Sequence, residues 1–490
     1  MRHLFFLCAL LSFLNLRGQT QLDDVQLSED YQILVNIICE VSPTLSETEK
    51  NTLRNYLENR GKELNGQNLT AVEFFRFLMG SKPSGATDGH GNINLPSTIV
   101  ESVLGDNKVL FPMPFIIENN QFLVNAENAA IPYGSVISEI NGKSVDSILV
   151  SVLRAATTFE IRNLERSFDI LFLLKYGAVN AFQIAYSLPK DSEIHYLQLD
   201  AINVESREQI YKNTVMPLHR EQLANTINTQ FFEAENTFYI QLNSFTWRDE
   251  KVKNEYDTFK KKFEDIFKTI QKQNVANLII DLRYNSGGNM IVPSLLYSFI
   301  AEYNFNEHIE LIVPDFDFPE SQHLVGVENR SLTAEALDAY LKNFKKGFTK
   351  NKDYYNVKVV NQKTNKANKR AYKGKVYLLV SGRTFSAAAY FAALFKSQNR
   401  GKIIGEPIGG TFRNITAGMQ LVYELPNSEL LVNMPIGLYK FSEDLDKSMP
   451  DANISSDVIL HADLFYEHYL NKKDAYLIET LKLISKANKD

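Results

Sequence analysis

The residues with the clearest chemical potential lie between Val376 and Thr411, in the stretch VYLLVSGRTFSAAAYFAALFKSQNRGKIIGEPIGGT. An apolar run is followed by a Ser-Gly-Arg turn, and a segment with helical spacing begins near Phe385. Ser386 therefore falls at a helix start, where exposed N–H groups and the helix dipole favour an oxyanion. This position suits a nucleophilic serine, and it also suits an ordinary N-cap.

A second stretch, NLIIDLRYNSGGN from Asn277 to Asn289, has the composition of a buried strand that ends in a polar turn with two glycines. Such a strand offers backbone amides at its carboxyl end. An ionised group at that end needs hydrogen bonds, because an unpaired buried charge costs several kcal/mol. We therefore expect Asp281 or Arg283 to be structural and to hold the Gly287-Gly288 turn.

Together these stretches resemble the C-terminal processing, or tail-specific, protease family of serine peptidases, which includes the tricorn core protease. The family pattern is an apolar strand, Asp-Leu-Arg, Gly-Gly, then a serine that opens a helix and a Gly-Glu-x-x-x-Gly turn. The chain matches it at residues 281–288, at Ser386 and at residues 405–410. The resemblance covers residues 237–460. It implies an α/β fold with a crotonase-like ββα protease core, and a serine endopeptidase or C-terminal processing peptidase that acts on polypeptides.

Two departures from the family pattern bear on the choice of base. Tail-specific proteases place a catalytic lysine where this chain has Thr411, and often a glutamate where it has Ala389. A threonine cannot act as a base near neutral pH, which leaves a Ser-His arrangement. In the branch of the family that resembles tricorn, an Asp-Gly-His or Ser-His element supplies the base. His90, in the loop KPSGATDGHG, is the histidine in such a setting.

The resemblance then implies a role for each candidate residue. Ser386 is the nucleophile, and a neutral His90 imidazole accepts its proton. A carboxylate before the Pro450-Asp451 pair orients the imidazole, and Glu443 and Asp444 are both candidates. The backbone N–H groups of Gly288 and Ala387 hold the oxyanion. Structural support is expected from Asp281, Arg283 and Gly287.

Composition narrows the class of protein and its environment. The chain has 490 residues, a net charge of −6 and two cysteines. The acidic balance argues against nucleic acid as a partner. Residues 1–19 have a positive start and a short apolar stretch, which predicts a signal peptide and an exported, periplasmic or secreted bacterial protein without a transmembrane span. Only Cys39 would remain after cleavage, so no disulfide and no cysteine-based metal site are expected, and no cofactor is implied.

The pattern along the chain predicts several regions. Residues 20–100 form a helical amino-terminal region, or cap, that carries the His90 loop, and residues 101–200 resemble a PDZ-like β module. In that module Leu110–Pro114 replaces the glycine-rich loop that grips a carboxylate, so a peptide-binding role and a purely structural role both stay open. Residues 201–236 are a predicted linker, 237–460 the protease core and 461–490 a C-terminal helix.

A different class of function also fits the sequence. Some relatives in the family bind retinoids, so the chain could be a non-catalytic peptide- or lipid-binding homologue of the same fold. Such a homologue would carry a serine without a base, whereas Ser386 here has His90 as a candidate partner. The sequence leaves the physiological substrate and the oligomeric state open.

Overall fold

The computed structural model of the chain describes residues 21–79, 90–105, 107–127, 129–153, 158–249, 251–306, 309–328, 330–360, 365–410, 414–441 and 454–487. The predicted signal peptide, Thr411, Glu443 and Asp444 lie outside these residues.

Short helices dominate the amino-terminal region. Its elements are β1 (Gln21–Leu22), α1 (Asp24–Val41), α2 (Glu47–Gly61), β2 (Leu69–Thr70), α3 (Ala71–Met79), β3 (Asn92–Asn94) and α4 (Ser97–Leu104). Capping boxes start the first two helices. The side chains of Asp23 and Ser46 accept the backbone N–H groups of Gln26 and Glu49, and the side chains of Gln26 and Glu49 accept the backbone N–H groups of Asp23 and Ser46.

Residues 115–200 form an antiparallel β module with two helices. Its elements are β4 (Phe115–Glu118), β5 (Gln121–Val124), β6 (Val136–Ile140), β7 (Lys143–Ser144), α5 (Val145–Val152), α6 (Thr158–Tyr176), β8 (Ala181–Ser187) and β9 (Ile194–Asp200). The strand order is β4-β5-β6-β8-β9, with β7 paired to β6. Asn141 and Gly142 form the tight turn between β6 and β7, and both residues have positive φ. Phe111, Phe168 and Phe172 are buried in the core of the module.

Two further sheets make up the rest of the chain. Their elements are α7 (Val204–Lys212), β10 (Ile227–Phe232), β11 (Thr237–Leu242), α8 (Glu255–Gln273), β12 (Asn277–Asp281), α9 (Val292–Ser298), β13 (Ile309–Val313), β14 (Leu324–Val327), β15 (Arg330–Ser331), α10 (Ala334–Lys345), β16 (Thr349–Lys350), β17 (Tyr355–Val360), β18 (Lys375–Val380), α11 (Ala387–Ser397), β19 (Lys402–Gly405), β20 (Asn414–Glu424) and β21 (Leu431–Phe441).

The first of these sheets carries both sequence motifs. Its order is β10-β11-β12-β18-β19, and β11, β12, β18 and β19 are parallel. Because the carboxyl ends of parallel strands meet at one edge, the turns after β12 and β18 lie side by side. The predicted linker at 201–236 differs from what is observed, because β10 pairs antiparallel with β11 over its whole length and so belongs to this sheet.

The second sheet anchors the segment that follows His90. Its order is β15-β14-β20-β21-β13-β17-β16, and β3 pairs with β21 through Asn92 to Asn94. Strands β20 and β21 form a long antiparallel hairpin within this sheet.

Two helices, α12 (Ala462–Leu470) and α13 (Ala475–Ala487), follow the core where one C-terminal helix was predicted. The break has a physical reason in Asp474, whose carboxylate accepts the N–H of Leu477 in the first turn of α13 and also binds Arg283. Tyr476 and Ile484 of α13 pack on the apolar face of the parallel sheet. Within the described ranges, no helix combines the length and the apolar character that crossing a membrane would require.

Candidate active site

Ser386, the candidate nucleophile, occupies a strained turn between β18 and α11, and we call this turn the nucleophile turn. Its backbone has φ 54° and ψ −124°, a conformation that non-glycine residues rarely adopt. The helix begins at the next residue, and the Ser386 side chain makes no capping hydrogen bond to it. Ordinary N-capping therefore does not explain this serine. A sharp strand-to-helix turn of this kind instead presents a serine hydroxyl to a substrate.

Three backbone carbonyls after β12 hold this turn in place. The Ser381 hydroxyl donates to the Arg283 carbonyl at 2.6 Å, and the Thr384 hydroxyl donates to the Leu282 carbonyl at 2.9 Å. The N–H of Phe385 donates to the carbonyl of Asn285 at 3.2 Å. The two sequence motifs are thus joined directly at the edge of the parallel sheet.

Asn285 also holds the paired glycines. Its side-chain oxygen accepts the N–H of Gly287 at 2.9 Å, and its side chain is fully buried. Gly287 has φ 111°, and a Cβ at this position would lie 2.7 Å from the Cβ of Ser386. Only glycine lets the backbone come this close to the serine. Sequence reasoning missed Asn285, and the signal that could have found it is a polar residue two positions before Gly287 after a buried strand.

The predicted oxyanion donors, the N–H groups of Gly288 and Ala387, flank the close approach of Gly287 to Ser386. Gly288 has φ 134°, and the turn's own hydrogen bonds use the N–H groups of its neighbours, Gly287 and Asn289. Ala387 is the first residue of α11, and the first N–H groups of a helix have no acceptor within it. The geometry therefore leaves both predicted N–H groups suited to an oxyanion, and their role stays a prediction.

His90 lies against Phe385, the residue that precedes Ser386. Its ring stacks on the ring of Phe385 with a centroid separation of 4.5 Å and an interplanar angle of 28°. The carbonyl of His90 accepts a hydrogen bond from Gln420 at 2.6 Å, and the pairing of β3 with β21 fixes the segment just after it. The fold therefore brings His90 to the nucleophile turn although the two are far apart in sequence.

Phe159 completes this aromatic stack. It packs on Phe385 at 3.9 Å with an interplanar angle of 16°, so that both Phe159 and His90 stack on one buried phenylalanine. Phe159 belongs to α6 of the β module, and nothing in its sequence neighbourhood marks it. Its place beside the nucleophile turn was therefore not predicted.

Asp281 and Arg283 form a buried ionic network at the end of β12. Arg283 donates to both oxygens of Asp281 and to both oxygens of Asp474, at 2.6 to 3.1 Å, and Tyr239 donates to Asp281 at 2.6 Å. Burial would lower the pKa of Arg283, but Asp281 and Asp474 raise it well above its usual value. Burial and the Asp281 charge raise the pKa of Tyr239. This network fixes the segment whose carbonyls hold the nucleophile turn.

Glu406, in the Gly-Glu-x-x-x-Gly motif, also stabilises the nucleophile turn. Its carboxylate accepts the N–H of Gly382 at 3.0 Å and binds the Arg162 guanidinium through two nitrogens. Burial would raise the pKa of Glu406, and the charge of Arg162 lowers it below its usual value. Arg162 comes from α6, so sequence reasoning did not predict this contact across about 240 residues.

The predicted acidic orienters, Glu443 and Asp444, lie outside the described residues, so their relation to His90 stays a prediction.

One group of side chains in the described ranges has ligand spacing for a metal. Asp191, Glu193 and His195 place their ligand atoms within 4.8 Å of one another around the start of β9. The sequence analysis did not expect such a group. Its alternating positions on the extended β8–β9 segment bring the three side chains together.

Comparison with known proteins gives one family match. The model described as peptidase family S41 matches residues 236–302 and 330–454. No curated protein sequence matches the chain. Among solved structures, mature CPAF is similar, with a TM-score of 0.62 and 13% identity over 95% of this chain and 99% of that one.

Two other solved structures are also similar to the chain. Mature CPAF complexed with lactacystin has a TM-score of 0.61 and 14% identity, over 95% of this chain and 99% of that one. The tricorn protease has a TM-score of 0.37 and 14% identity, over 94% of this chain and 37% of that one. At these identities the CPAF likeness shows a shared fold.

Proposed function

We propose, from the premise that this chain belongs to peptidase family S41, that it hydrolyses polypeptides by a Ser-His mechanism. The chain is a serine peptidase of the hydrolase class. Ser386 is the nucleophile, and His90 is its base. The observation that carries the proposal is the strained backbone of Ser386 next to a residue on which His90 stacks.

The proposed reaction proceeds through an acyl-enzyme. A neutral His90 imidazole accepts the proton of the Ser386 hydroxyl while the oxygen attacks the scissile carbonyl carbon. The N–H groups of Gly288 and Ala387 donate to the oxygen that becomes negative. The imidazolium then gives its proton to the leaving amine. Water hydrolyses the ester by the same steps, with either Glu443 or Asp444 holding the imidazole orientation.

The substrates that we propose are unfolded or C-terminally exposed polypeptides. The reacting serine sits in a turn that is packed against another turn at the edge of a buried sheet. A peptide bond inside a folded helix or sheet could not approach both Ser386 and the N–H of Gly288, so an extended segment is required. No metal takes part in this chemistry.

The finer architecture is part of the same proposal. The parallel sheet with α8, α9 and α11 corresponds to a crotonase-like ββα core, the region 20–100 to a helical cap and the region 101–200 to a PDZ-like module. The support is the strand order of the parallel sheet and the antiparallel sheet with two helices in the module. Export to a periplasm or the cell exterior is proposed on residues 1–19 and the single remaining cysteine.

A fluorophosphonate probe and an unfolded protein substrate test this function together. The purified chain should be labelled on Ser386 and should degrade reduced, unfolded casein, and a chelator should leave the rate unchanged. Ser386→Ala should lose both labelling and degradation. Ser102→Ala is the matched control and should retain both, because the Ser102 hydroxyl donates to the Ile99 carbonyl of its own helix, α4. Degradation by Ser386→Ala at the normal rate would contradict the proposal.

A further inference from the structure

A cavity of about 900 Å³ lies between the β module, the parallel sheet and the C-terminal helices. Its walls include the turn at Arg220–Ala224, the α12–α13 connection at Lys472–Asp474 and the sheet edge at Arg283, Ser381 and Arg383. Ser386, His90 and Gly288 do not line it. The cavity is therefore separate from the candidate active site, although Ser381 and Arg383 belong to the turn that leads to Ser386.

The cavity has a strong excess of positive charge. Among the residues that the structure describes, five arginines and two lysines line it, against three carboxylates. The whole chain carries a net charge of −6, so positive charge is concentrated at this cavity in a protein that is acidic as a whole. Clefts that are lined by one sign of charge focus the field and attract a ligand of the opposite sign.

Part of this charge is already neutralised inside the protein. Arg162 binds Glu118, Glu165 and Glu406, and Arg283 binds Asp281 and Asp474. Arg383 binds Glu165 at 2.7 Å. These three arginines therefore have structural partners.

Arg166 and Arg220 differ from the other arginines of the cavity. Among the described residues, neither guanidinium forms a salt bridge with a carboxylate. The Arg220 guanidinium donates to the carbonyls of Tyr211 and Met216 and to the Thr214 hydroxyl, which are neutral acceptors. The Arg166 guanidinium lies at the cavity wall without a hydrogen bond to any described residue.

The electrostatics of these two side chains agree with unbalanced charge. Burial lowers the pKa of Arg166, and the nearby Arg383 charge lowers it further. Burial and Arg383 lower the pKa of Arg220 in the same way. Arg166, Arg220 and Arg383 therefore place three positive charges at one wall of the cavity. The Arg166 and Arg220 side chains are exposed there, so water partly screens their repulsion, and both stay protonated because arginine does not lose its proton in proteins. A bound anion would relieve this repulsion.

We propose that this cavity is a binding site for a small multivalent anion, held chiefly by Arg166 and Arg220. Guanidinium groups bind carboxylate and phosphate oxygens through paired hydrogen bonds. The remaining walls include the rings of Tyr211, Phe232 and Tyr284, which suit a ligand with a flat or apolar part. The volume is within the range of small-molecule sites. This inference does not rest on the proposed peptidase mechanism.

Isothermal titration calorimetry at low ionic strength tests the proposal with three probes: citrate, benzene-1,3,5-tricarboxylate and inorganic pyrophosphate. We expect at least one probe to bind with one site per chain. Binding of the carboxylates alone assigns a polycarboxylate ligand, and binding of pyrophosphate alone assigns a phosphate ligand. Arg166→Gln and Arg220→Gln should each weaken binding about tenfold, the value of one lost charge-assisted hydrogen-bonded contact.

Arg370→Gln is the matched control, because Arg370 is exposed and does not line the cavity. It should bind the probe as the unchanged chain does. If Arg220→Gln disturbs the Tyr211–Met216 segment, the Arg166→Gln variant alone tests the proposal. The Arg166 side chain holds no described segment in place. No saturable binding of any probe would overturn the proposal, and so would an Arg166→Gln variant that binds as tightly as Arg370→Gln.

Discussion

Ser386 and Gly287 show how much of the site depends on single backbone conformations. The serine has a positive φ, and the glycine occupies the space where any side chain would meet the Cβ of the serine. Strain of this kind costs of order 1–3 kcal/mol and persists only where the surroundings enforce it. Here Asn285 helps to enforce this conformation. Its carbonyl accepts the N–H of Phe385, which precedes the serine, and its side-chain oxygen accepts the N–H of Gly287.

Gly287→Ala should lower kcat about a hundredfold, because its methyl group would displace Ser386 by a fraction of an ångström or more. Measured kcat on one peptide substrate checks this. Gly66→Ala is the control: Gly66 also has a positive φ, of 69°, but nothing lies within 4 Å of an added Cβ. It should cost stability and leave kcat unchanged. Equal loss of kcat in the two variants would show that positive φ alone, not contact with Ser386, is responsible.

The sequence predicted those residues of the site whose signal is local. Ser386 stands at a strand-to-helix change, and Gly288 stands in a glycine pair after an apolar strand. Phe159 and Arg162 carry no such signal, because their importance comes from contacts with Phe385 and Glu406 more than 220 positions away. Residue periodicity predicts elements, and it does not predict which elements meet.

At the scale of elements, the end of strand β12 is the anchor of the site. Asp281 is almost completely buried and receives hydrogen bonds from Arg283 and Tyr239. Arg283 in turn binds Asp474 at the start of α13. The same segment offers the carbonyls that hold Ser381 and Thr384. A buried ionic pair therefore links the C-terminal helices to the nucleophile turn.

Asp281→Asn should destabilise the fold by about 3 kcal/mol, because it leaves part of the Arg283 charge buried and uncompensated. Urea unfolding measures this. Asp338→Asn is the control, since Asp338 is exposed and pairs with Lys342 on one helix face, where such a pair is worth about 0.5 kcal/mol or less. Activity should fall with stability in Asp281→Asn. If that variant folds and works as the unchanged chain does, the anchoring role is wrong.

The elements themselves were predicted where periodicity was strong. The strand at Asn277–Asp281 and the helix that begins after Ser386 both follow apolar spacing that the sequence displays. Strand β10 was assigned to a linker because its residues are largely polar or partly exposed at the edge of the sheet. The break between α12 and α13 was missed because it depends on the distant Arg283.

At the scale of the molecule, one ionic cluster joins the β module to the core. Arg162 of α6 binds Glu118 and Glu165 of the module and Glu406 of the core. Burial, with a smaller contribution from the Glu406 charge, raises the pKa of Glu118 to about 7, although the charge of Arg162 opposes this. Glu118 thus takes up a proton near neutral pH.

This shift predicts the pH dependence of stability. Between the ordinary glutamate pKa and about 7, the folded state binds more protons at Glu118 than the unfolded state does, so stability falls as pH rises through that window. The loss is at most about 3 kcal/mol. Glu118→Gln should flatten the profile in urea unfolding from pH 5 to 8. Glu139→Gln, an exposed position of the same module, should retain the slope, and a slope unchanged in Glu118→Gln would contradict the assignment.

The most direct test of the account concerns Ser386 and His90 as one unit. Three variants, Ser386→Ala, His90→Ala and the double variant, are compared for kcat on one peptide substrate. Because nucleophile and base act together, all three should lose similar amounts of kcat, and the double variant should be no worse than either single one. A His90→Ala enzyme that retains most of its turnover would contradict the account and leave Ser386 with another base.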